Sequence, residues 1–256
     1  MKSILASSTL GAQLFLALSA IGSAWAIYNF GYSFESALLT LLGYFLYGCL
    51  GIVVTFHRQL THQSYQTNKL VNRLFSILGC LGGTGSPLAW VAIHINHHLK
   101  SDKPGDPHSP LYKGLKIFSL NYETEVDAST KWRMRELVTD KFQQFLHRYY
   151  FGLIIVWSLF LYVLGGLFLV AFLHWLPMVI TSVMSNIVNY VGHKPSLWGS
   201  SRTFNLKDQS TNNWIWAIPS WGESWHNNHH RYPKSYTTAL GRQIDISGLI
   251  IKLIKK

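Results

Sequence analysis

Charged residues are scarce in this chain of 256 residues. They make up 13% of the composition, whereas soluble domains carry roughly 25%, and 48% of the residues are hydrophobic. Acidic side chains are the scarcer sign, with 11 Asp and Glu against 22 Lys and Arg, which gives a formal net charge of +11. This composition excludes a disordered chain and argues against an ordinary soluble enzyme. It predicts a membrane protein with one basic face.

Cysteine is nearly absent. Cys49 and Cys80 stand 31 positions apart in apolar stretches, and no CxxC pair occurs. Nothing here forms the disulfide framework that would indicate a secreted protein, so we expect both cysteines to be buried. Repeats, low-complexity tracts and flexible linkers are also lacking, and the chain is therefore predicted to be a single domain over residues 1–256.

Long apolar stretches are what the sequence has instead. A membrane-spanning helix needs about 20 mainly apolar residues, and four stretches are predicted to cross: about 10–30, 34–56, 150–170 and 171–191. We expect the first two to form a helical hairpin with its turn near 29–33, and the last two to form another around a weak break at 174–177. The first stretch has an alternative interpretation, because Lys2 and the Ala24-Trp25-Ala26 tripeptide also resemble a secretory signal peptide.

A fifth apolar stretch, about 70–90, is predicted to lie in the membrane interface. It contains Arg73 and the helix-breaking run Gly82 to Pro87. If it crossed the membrane, the His-rich segments on its two sides would face opposite compartments.

The positions of the cations predict the orientation. Lys2 precedes the first stretch, twelve Lys and Arg lie between Arg58 and Arg148, and nine lie from Lys194 to Lys256, so neither hairpin turn contains one. By the positive-inside rule, both termini and the central loop are cytoplasmic. The predicted fold is thus all-α, with four transmembrane helices and a cytoplasmic helical cap over 91–149 and 193–256. Within this cap the polar segment 122–147 is expected to be helical.

Histidine is unusually abundant, and nine of the twelve fall into four tight groups within HRQLTH, HINHH, NYVGH and HNNHH. These nine are His57, His62, His94, His97, His98, His193, His226, His229 and His230. Positions i, i+3 and i+4 share one face of a helix, so each HxxHH presents three imidazoles together. The five-residue step of HxxxxH turns about 140° on an ideal α-helix. That pair can converge only at a helix end or from two sides of a site.

Such a gathering of imidazoles predicts a metal centre. Neutral imidazole is the commonest protein metal ligand, and one four-coordinate zinc ion would use at most four of them. Nine therefore indicate two metals, whereas His108, His147 and His174 are expected to be ordinary core or interface residues. At a membrane face, an unactivated methylene of a lipid chain can be attacked only with activated oxygen, which favours a redox-active iron pair over zinc.

Three of these groups, HRQLTH, HINHH and HNNHH, have the spacings HxxxxH, HxxHH and HxxHH. They resemble the three histidine boxes of the integral-membrane fatty acid desaturases. The flanking Asp106-Pro107-His108-Ser109-Pro110, Gly222-Glu223 and Trp225-His226-Asn227 are similar to the branch of delta-9 acyl-CoA and acyl-lipid desaturases. The resemblance covers about residues 38–250. It implies a di-iron centre at the cytosolic face, which uses O2 and two electrons to place a cis double bond in a saturated acyl chain.

The resemblance also implies roles for particular residues. The nine histidines would hold iron, Asn189 of the NxxxH motif would hold a metal-bound water, and Glu223 and Asn227 would support ligands through hydrogen bonds. If the acyl chain descends from the metal site between the helices, its methyl end is expected to meet the second predicted helix, about 34–56, three to four turns before His57. On that basis we predict Leu41 and Phe45 at the end of the substrate tunnel.

The implied partners are an acyl substrate, an electron donor and the bilayer, with no nucleic acid. The carrier stays open between acyl-CoA and acyl-lipid, because Ala92 and Ile93 stand where acyl-CoA enzymes tend to carry polar residues. No HPGG-type heme motif occurs, so electrons are expected from a separate ferredoxin or cytochrome b5, for which the basic face is a landing surface. The membrane would be the inner one in a bacterium or the endoplasmic reticulum in a eukaryote.

Two other functions compete with this interpretation. A histidine-box hydroxylase or ketolase would return oxygen to the same carbon instead of removing a second hydrogen. A His-rich metal transporter would need polar residues along a path through the membrane. The predicted spans are nearly free of charge, which disfavours the transporter.

Overall fold

The structure of the chain, a computed structural model, describes residues 2–119 and 126–256. Its regular structure is mostly helical, as predicted. The α-helices are α1 (Lys2–Phe30), α2 (Phe34–Tyr44), α3 (Lys69–Leu81), α4 (Pro87–Lys100), α5 (Pro110–Lys113), α6 (Ala128–Arg133), α7 (Arg135–Thr139), α8 (Lys141–Arg148), α9 (Tyr150–Val170), α10 (Leu176–Val191), α11 (His226–Arg231) and α12 (Ile246–Ile254). There are two π-helices: Phe45–Thr61 continues α2, and Ala171–Trp175 directly precedes α10. A 3-10 turn (Gly114–Ser119) and one antiparallel pair, β1 (Ser200–Ser201) and β2 (Asn212–Asn213), complete the described elements.

Three helices of the described chain are long and apolar enough to cross a membrane: Gly11–Phe30, Phe34–Thr61 and Tyr150–Val191. Their outward side chains include large apolar residues such as Leu18, Tyr28 and Val163. Exposed apolar surface of this extent is typical of contact with lipid. The first two helices are joined by residues 31–33, inside the predicted turn, where the Ser33 hydroxyl accepts a hydrogen bond from Ser36 N and caps α2.

The third apolar helix is a hairpin. Gly165 and Gly166 interrupt the helical backbone, and Gly166 has a φ of +63°, which favours glycine. Across this break, Ser158 Oγ lies 3.0 Å from His174 Nδ1. Sixteen residues of straight helix would span about 24 Å, so the chain must reverse between them.

The predicted position of this reversal was wrong. The predicted break at 174–177 lies within continuous helix instead. His174 belongs to the second π-helix, and Pro177 stands in the first turn of α10, where a missing N–H is tolerated. The glycine pair supplies a backbone conformation that other residues rarely adopt.

The predicted interface helix 70–90 is two helices. α3 ends at Leu81 and α4 begins at Pro87, because the run between them contains glycines in the left-handed region, Gly83 at φ +74° and Gly85 at φ +116°. α3 packs tightly against the first π-helix. A Cβ added to Gly51 of that helix would lie 2.4 Å from the backbone nitrogen of Gly79.

The remaining elements cover the end of the first π-helix. Of the predicted polar helical segment, residues 122–125 lie outside the described residues, and the rest forms the short helices α6 to α8. α12 packs Ile251 against Cys49, Val54 and Tyr65. Cys49 and Cys80 are free and buried, as predicted.

Candidate metal centre

The first π-helix explains how the HxxxxH box converges. A π-helix forms hydrogen bonds between residues five apart, and the His62 nitrogen donates such a bond to the His57 carbonyl at 3.2 Å. Both imidazoles therefore lie on one side of the helix end, with their ring centroids 4.8 Å apart. The 140° separation expected for an α-helix does not apply here.

All nine predicted histidines gather at this helix end, in two adjacent clusters. Within each cluster the potential ligand nitrogens lie within 4.8 Å of one another. The first cluster contains His57, His62, His94, His98 and His229, and the second contains His97, His193, His226 and His230.

Each HxxHH box serves both clusters. On α4, His94 and His98 enter the first cluster while His97 enters the second. On α11 the sharing is reversed, with His229 in the first cluster and the pair at positions 226 and 230 in the second. The i, i+4 pair of each box thus points to one site and the i+3 residue to its neighbour, which the spacing alone does not reveal.

The nitrogen separations fit a shared cation. In the second cluster the Nε2 atoms form a closed ring of four, with edges of 3.3 Å (His97–His230), 3.0 Å (His230–His226), 3.0 Å (His226–His193) and 3.1 Å (His193–His97). The first cluster has four such contacts, of 3.0 to 3.1 Å. Two nitrogens bound to one ion at about 2.0–2.1 Å, at tetrahedral or octahedral angles, lie roughly 2.8–3.4 Å apart. The donor set and its spacing therefore fit one metal ion per cluster.

Four carboxylates hold the opposite ring nitrogens. His97 Nδ1 lies 3.0 Å from Asp106, His193 Nδ1 2.7 Å from Asp102, and His230 Nδ1 3.1 Å from Asp208. His57 Nδ1 contacts Glu223. A carboxylate at Nδ1 keeps the proton there and leaves the Nε2 lone pair for a metal. The bare Nε2 lone pairs of two rings held in this way repel one another, as at His97 with His193 (3.1 Å) and with His230 (3.3 Å), and a cation between them would relieve that repulsion.

Burial favours the neutral form of most imidazoles in the two clusters. Burial, followed by the neighbouring rings, lowers the pKa values of His62, His94, His98, His226 and His229 well below the usual value. Burial likewise lowers the pKa of His230 to about 4. Burial alone would raise the carboxyl pKa values of Asp102 and Asp208, but the hydrogen bonds from His193 and His230 lower them. Neutral imidazoles and ionised carboxylates are the forms that metal binding requires.

Arg58 ties the centre to the C-terminal segment. Its guanidinium is 1% exposed and donates to Glu223 Oε1 at 2.7 Å and to both oxygens of Asp245, at 2.8 and 3.1 Å. It also donates to the Tyr236 carbonyl at 2.8 Å. Burial would raise the pKa of Asp245, yet the charge of Arg58 lowers it to about 2. Arg58 therefore holds Glu223, which in turn holds His57.

The other predicted supporting residues are placed as follows. The Asn227 side chain accepts from Phe204 N at 2.7 Å and donates to Ser210 Oγ at 3.1 Å, so it fastens the loop that carries Asp208. Asn189 is half-buried and lines a cavity beside the clusters. His108, expected to be an ordinary residue, is buried with its ring centroid 4.3 Å from that of His97.

Sequence reasoning did not assign the three aspartates as supports. Asp102 and Asp106 follow the second box without helical spacing to His193 or His97. Asp208 stands 22 positions before its partner, with no motif around it.

The cavity runs beside both clusters and along the second apolar helix. It is lined by Tyr44, Gly48, Ile52, Val53, His57, Thr84, Trp90, Ile93, His94, His108, Thr181, Ser182, Met184, Ser185, Asn186, Val188, Asn189, Ser220, Trp221, Glu223 and His226. The predicted tunnel residues are not among them. Leu41 is 57% exposed on the outer face, and Phe45 packs against Trp221 and the cluster around Cys49. Tyr44 and Gly48 are the lining residues of this helix farthest from His57.

Comparison with known proteins identifies the family. The family described as "Fatty acid desaturase" matches residues 35–243. The chain belongs to the fatty acid desaturase family. It is an enzyme, an oxidoreductase that introduces a double bond into acyl chains. Its three long apolar helices are consistent with association with a membrane.

Individual relatives of this desaturase differ in carrier and in position. The "sn-1 stearoyl-lipid 9-desaturase" of Anabaena variabilis is 33% identical over 92% of the chain and 86% of its own length. The "Delta-9 acyl-lipid desaturase 1" of Arabidopsis thaliana is 32% identical over 88% and 74%. The "Acyl-CoA C20 Delta5-desaturase" of Anemone leveillei is 33% identical over 88% and 72%.

Proposed function

We propose that the chain places a cis double bond in a saturated acyl chain carried by a membrane lipid, with acyl-CoA as the alternative carrier. The observation that carries the proposal is the pair of histidine clusters, which both contribute side chains to one cavity. His57 and His94 of the first cluster and His226 of the second line it. A substrate carbon in that cavity lies beside both sites.

Each cluster would hold one iron ion through the Nε2 atoms of its histidines. When bound, the iron pair supplies the oxidising power, with O2 as co-substrate, to break C–H bonds that no acid or base can attack. The carboxylates of Asp102, Asp106, Asp208 and Glu223 fix the tautomers of four ligands. Asn189 at the cavity wall is proposed to hold a metal-bound water.

The protein's own part in the reaction is to position the substrate and exclude water. Ile52 and Val53 give the cavity an apolar wall along the π-helix, against which methylenes can pack out of water. Thr181, Ser182 and Ser185 of α10 add polar side chains to the cavity lining. An acyl chain extending from the clusters towards Tyr44 would leave its saturated segment beside the metal ligands.

The proposed topology has four crossings in one domain over 1–256. They are about 10–30, 34–61, 150–164 and 167–191, because the glycine pair divides the third apolar helix. Both termini and the metal centre would be cytoplasmic, at the inner membrane of a bacterium or the endoplasmic reticulum of a eukaryote. The support is the distribution of Lys and Arg, which avoid both hairpin turns.

A separate ferredoxin or cytochrome b5 is proposed as electron donor. The net charge of +11 would attract an acidic donor over a long range. The histidine clusters lie at the end of the π-helix Phe45–Thr61, on the side of the proposed cytoplasmic cap that such a donor would approach.

The test is expression in a host with a defined saturated lipid pool, followed by double-bond mapping of its fatty acids. We expect products lighter than their precursors by two hydrogens, and none of them from His97→Ala or His229→Ala. Products heavier by one oxygen would instead identify a hydroxylase. The same unsaturated products from the His97→Ala variant would contradict the assignment of the clusters.

A further inference from the structure

An uncharged segment of the C-terminal region lies alongside a membrane-crossing helix. Residues 214–221 read WIWAIPSW and contain no charged side chain. The Trp221 ring centroid lies 5.0 Å from that of Tyr44 and 5.7 Å from that of Phe45, and the Tyr44 hydroxyl donates to the Pro219 carbonyl. Tyr44 stands thirteen positions before His57 in one continuous helix, well on the membrane side of the metal centre.

Three large apolar side chains of this region are mostly exposed. Trp214 and Ile218 are 60% and 58% exposed, and the neighbouring Trp198 is 79% exposed. The rings of Trp198 and Trp214 meet edge to face, with centroids 5.7 Å apart. Contiguous exposed aromatic and branched side chains mark a surface that contacts something apolar, and Trp is enriched where membrane meets water.

The C-terminal helix α12 presents a second part of the same surface. Its inner face packs with Trp221 and Phe45 in one cluster around Cys49, which lies in the membrane-crossing helix. On its outer face Leu249 and Leu253 are 61% and 85% exposed. Lys252 stands beside these leucines on the helix, and Lys255 and Lys256 follow its C-terminal end, with Lys255 Nζ 3.8 Å from the Tyr236 ring centroid. Leucines flanked by lysines on an outward helix face are typical of helices that lie in a membrane interface.

We propose that Trp198, Trp214, Ile218, Leu249 and Leu253 form a leaflet edge, a surface inserted into the bilayer leaflet on the side of the metal centre. The proposal rests on the proposed crossing by Phe34–Thr61. Part of the C-terminal cap would then lie within the membrane instead of above it. Ser220 and Trp221 line the cavity, so the segment that touches lipid also bounds the acyl site.

A lipid leaflet explains this surface better than a protein partner. The leaflet edge continues the lipid-facing surface of the second apolar helix, because α12 and residues 219–221 pack directly on that helix. The three lysines complement anionic head groups, and lysine stems extend along apolar surface to place the ammonium in the head-group layer.

Site-directed spin labelling tests the proposal without reference to desaturation. Cys49 and Cys80 are buried, so a nitroxide reagent reports on an introduced cysteine, with the unsubstituted chain as the labelling background. Ile218→Cys and Leu253→Cys place labels on the leaflet edge. The control Asn205→Cys places one on an exposed polar loop. All three variants are reconstituted in nanodiscs of phosphatidylethanolamine and phosphatidylglycerol, and their iron contents are compared with that of the unsubstituted chain to verify folding.

The collision rates of each label with O2 and with the water-soluble NiEDDA distinguish the outcomes. We expect the labels at 218 and 253 to collide with O2 and to lose the NiEDDA collisions that the label at 205 shows. NiEDDA collisions equal to those at 205 would show a water-exposed surface and overturn the proposal. Loss of collisions with both reagents would show a protein contact, such as a second copy, and would overturn it as well. Neither result depends on whether the chain desaturates acyl chains.

Discussion

The metal centre depends, at the scale of single residues, on which nitrogen each imidazole leaves bare. Four carboxylates, the buried Asp106 and Glu223 and the half-buried Asp102 and Asp208, take the Nδ1 side of four histidines, and the Nε2 side of these rings faces the clusters. Glu223 is itself held by the buried Arg58, which donates to its Oε1. The geometry of the ligands is therefore set by residues that need not touch a metal.

Glu223→Gln tests this dependence. The amide keeps the size of the side chain but removes the charge that both His57 and Arg58 contact. Changes to residues that support metal ligands typically cost 10–100-fold in affinity or activity, and we expect a loss of about that size in iron affinity and in turnover. The matched control is Glu136→Gln, whose side chain is 71% exposed. Equal iron content and turnover in the two variants would contradict the assignment of Glu223 as a support of the metal ligand His57.

Asp245 provides a pH-dependent prediction. Arg58 lowers its folded pKa to about 2 from a usual 3.8, so its contribution to stability is present above about pH 4 and is lost as the pH falls towards 2. The shift corresponds to about 2 kcal/mol. We expect the gap in thermal unfolding temperature between the unsubstituted chain and Asp245→Asn to be widest near pH 6 and to narrow below pH 4. A gap independent of pH would contradict the assigned pairing.

The sequence predicts the histidines of this centre better than their supports. Repeated HxxHH spacing is a signal because i, i+3 and i+4 share a helix face, and all nine histidines lie in the two clusters. Asp208 reaches His230 through a loop fastened by Asn227, and loop geometry leaves no periodic trace. Leu41 and Phe45, predicted at the tunnel end by counting turns on an α-helix, do not line the cavity, and from Phe45 onward the helix is a π-helix to which that count does not apply.

At the scale of elements, the π-helix Phe45–Thr61 organises the site. Its i→i+5 hydrogen bonds bring the two histidines of HxxxxH together. Gly51 lets α3 pack closely against it, and Gly48 leaves room for the cavity. Apolar composition predicts a helix here, but the choice between α and π depends on tertiary packing, which the sequence pattern does not contain. The hairpin predicted at 174–177 lies instead at Gly165 and Gly166, because a proline is tolerated in the first turn of α10 whereas Gly166 adopts the left-handed backbone that reverses the chain.

Gly51→Ala tests the contact between α3 and this π-helix. The added Cβ would meet the backbone of Gly79 at 2.4 Å, and backbone cannot move aside as a flexible side chain can. We expect a loss of about 1–3 kcal/mol in unfolding free energy, typical of overpacking, measured as a lower unfolding temperature in detergent. The control is Gly152→Ala in α9, where a Cβ meets nothing within 4 Å. Comparable unfolding temperatures for the two variants would contradict the close crossing.

Gly48→Ala tests the far end of the cavity. The new methyl group would lie 2.7 Å from the Tyr44 ring and 3.3 Å from Thr181 Oγ1, and so would narrow the cavity there. We expect the product profile to shift towards shorter acyl chains, read as a ratio of chain lengths so that lower expression does not alter it. Leu41→Ala, on the exposed face, is expected to leave the ratio unchanged. A shift in Leu41→Ala and none in Gly48→Ala would restore the tunnel end predicted from the sequence.

At the scale of the whole molecule, apolar bulk, excess positive charge and abundant histidine describe one arrangement. Apolar helices provide the membrane-facing surface, and the histidines meet where the second of these helices ends. The cations are absent from the hairpin turns at the other ends of these helices. Composition predicts this division of the molecule, whereas the partition of nine ligands into five and four emerges only from the packing of α4 against α11 and the π-helix.

The most direct test of the account is the iron content of the purified chain from iron-supplemented cells. The two-cluster geometry predicts two iron ions per chain, and a lower content in both His229→Ala, from the first cluster, and His226→Ala, from the second. Glu136→Gln should keep both ions. A single ion per chain, or an iron content that neither histidine substitution changes, would contradict a centre built from two histidine clusters.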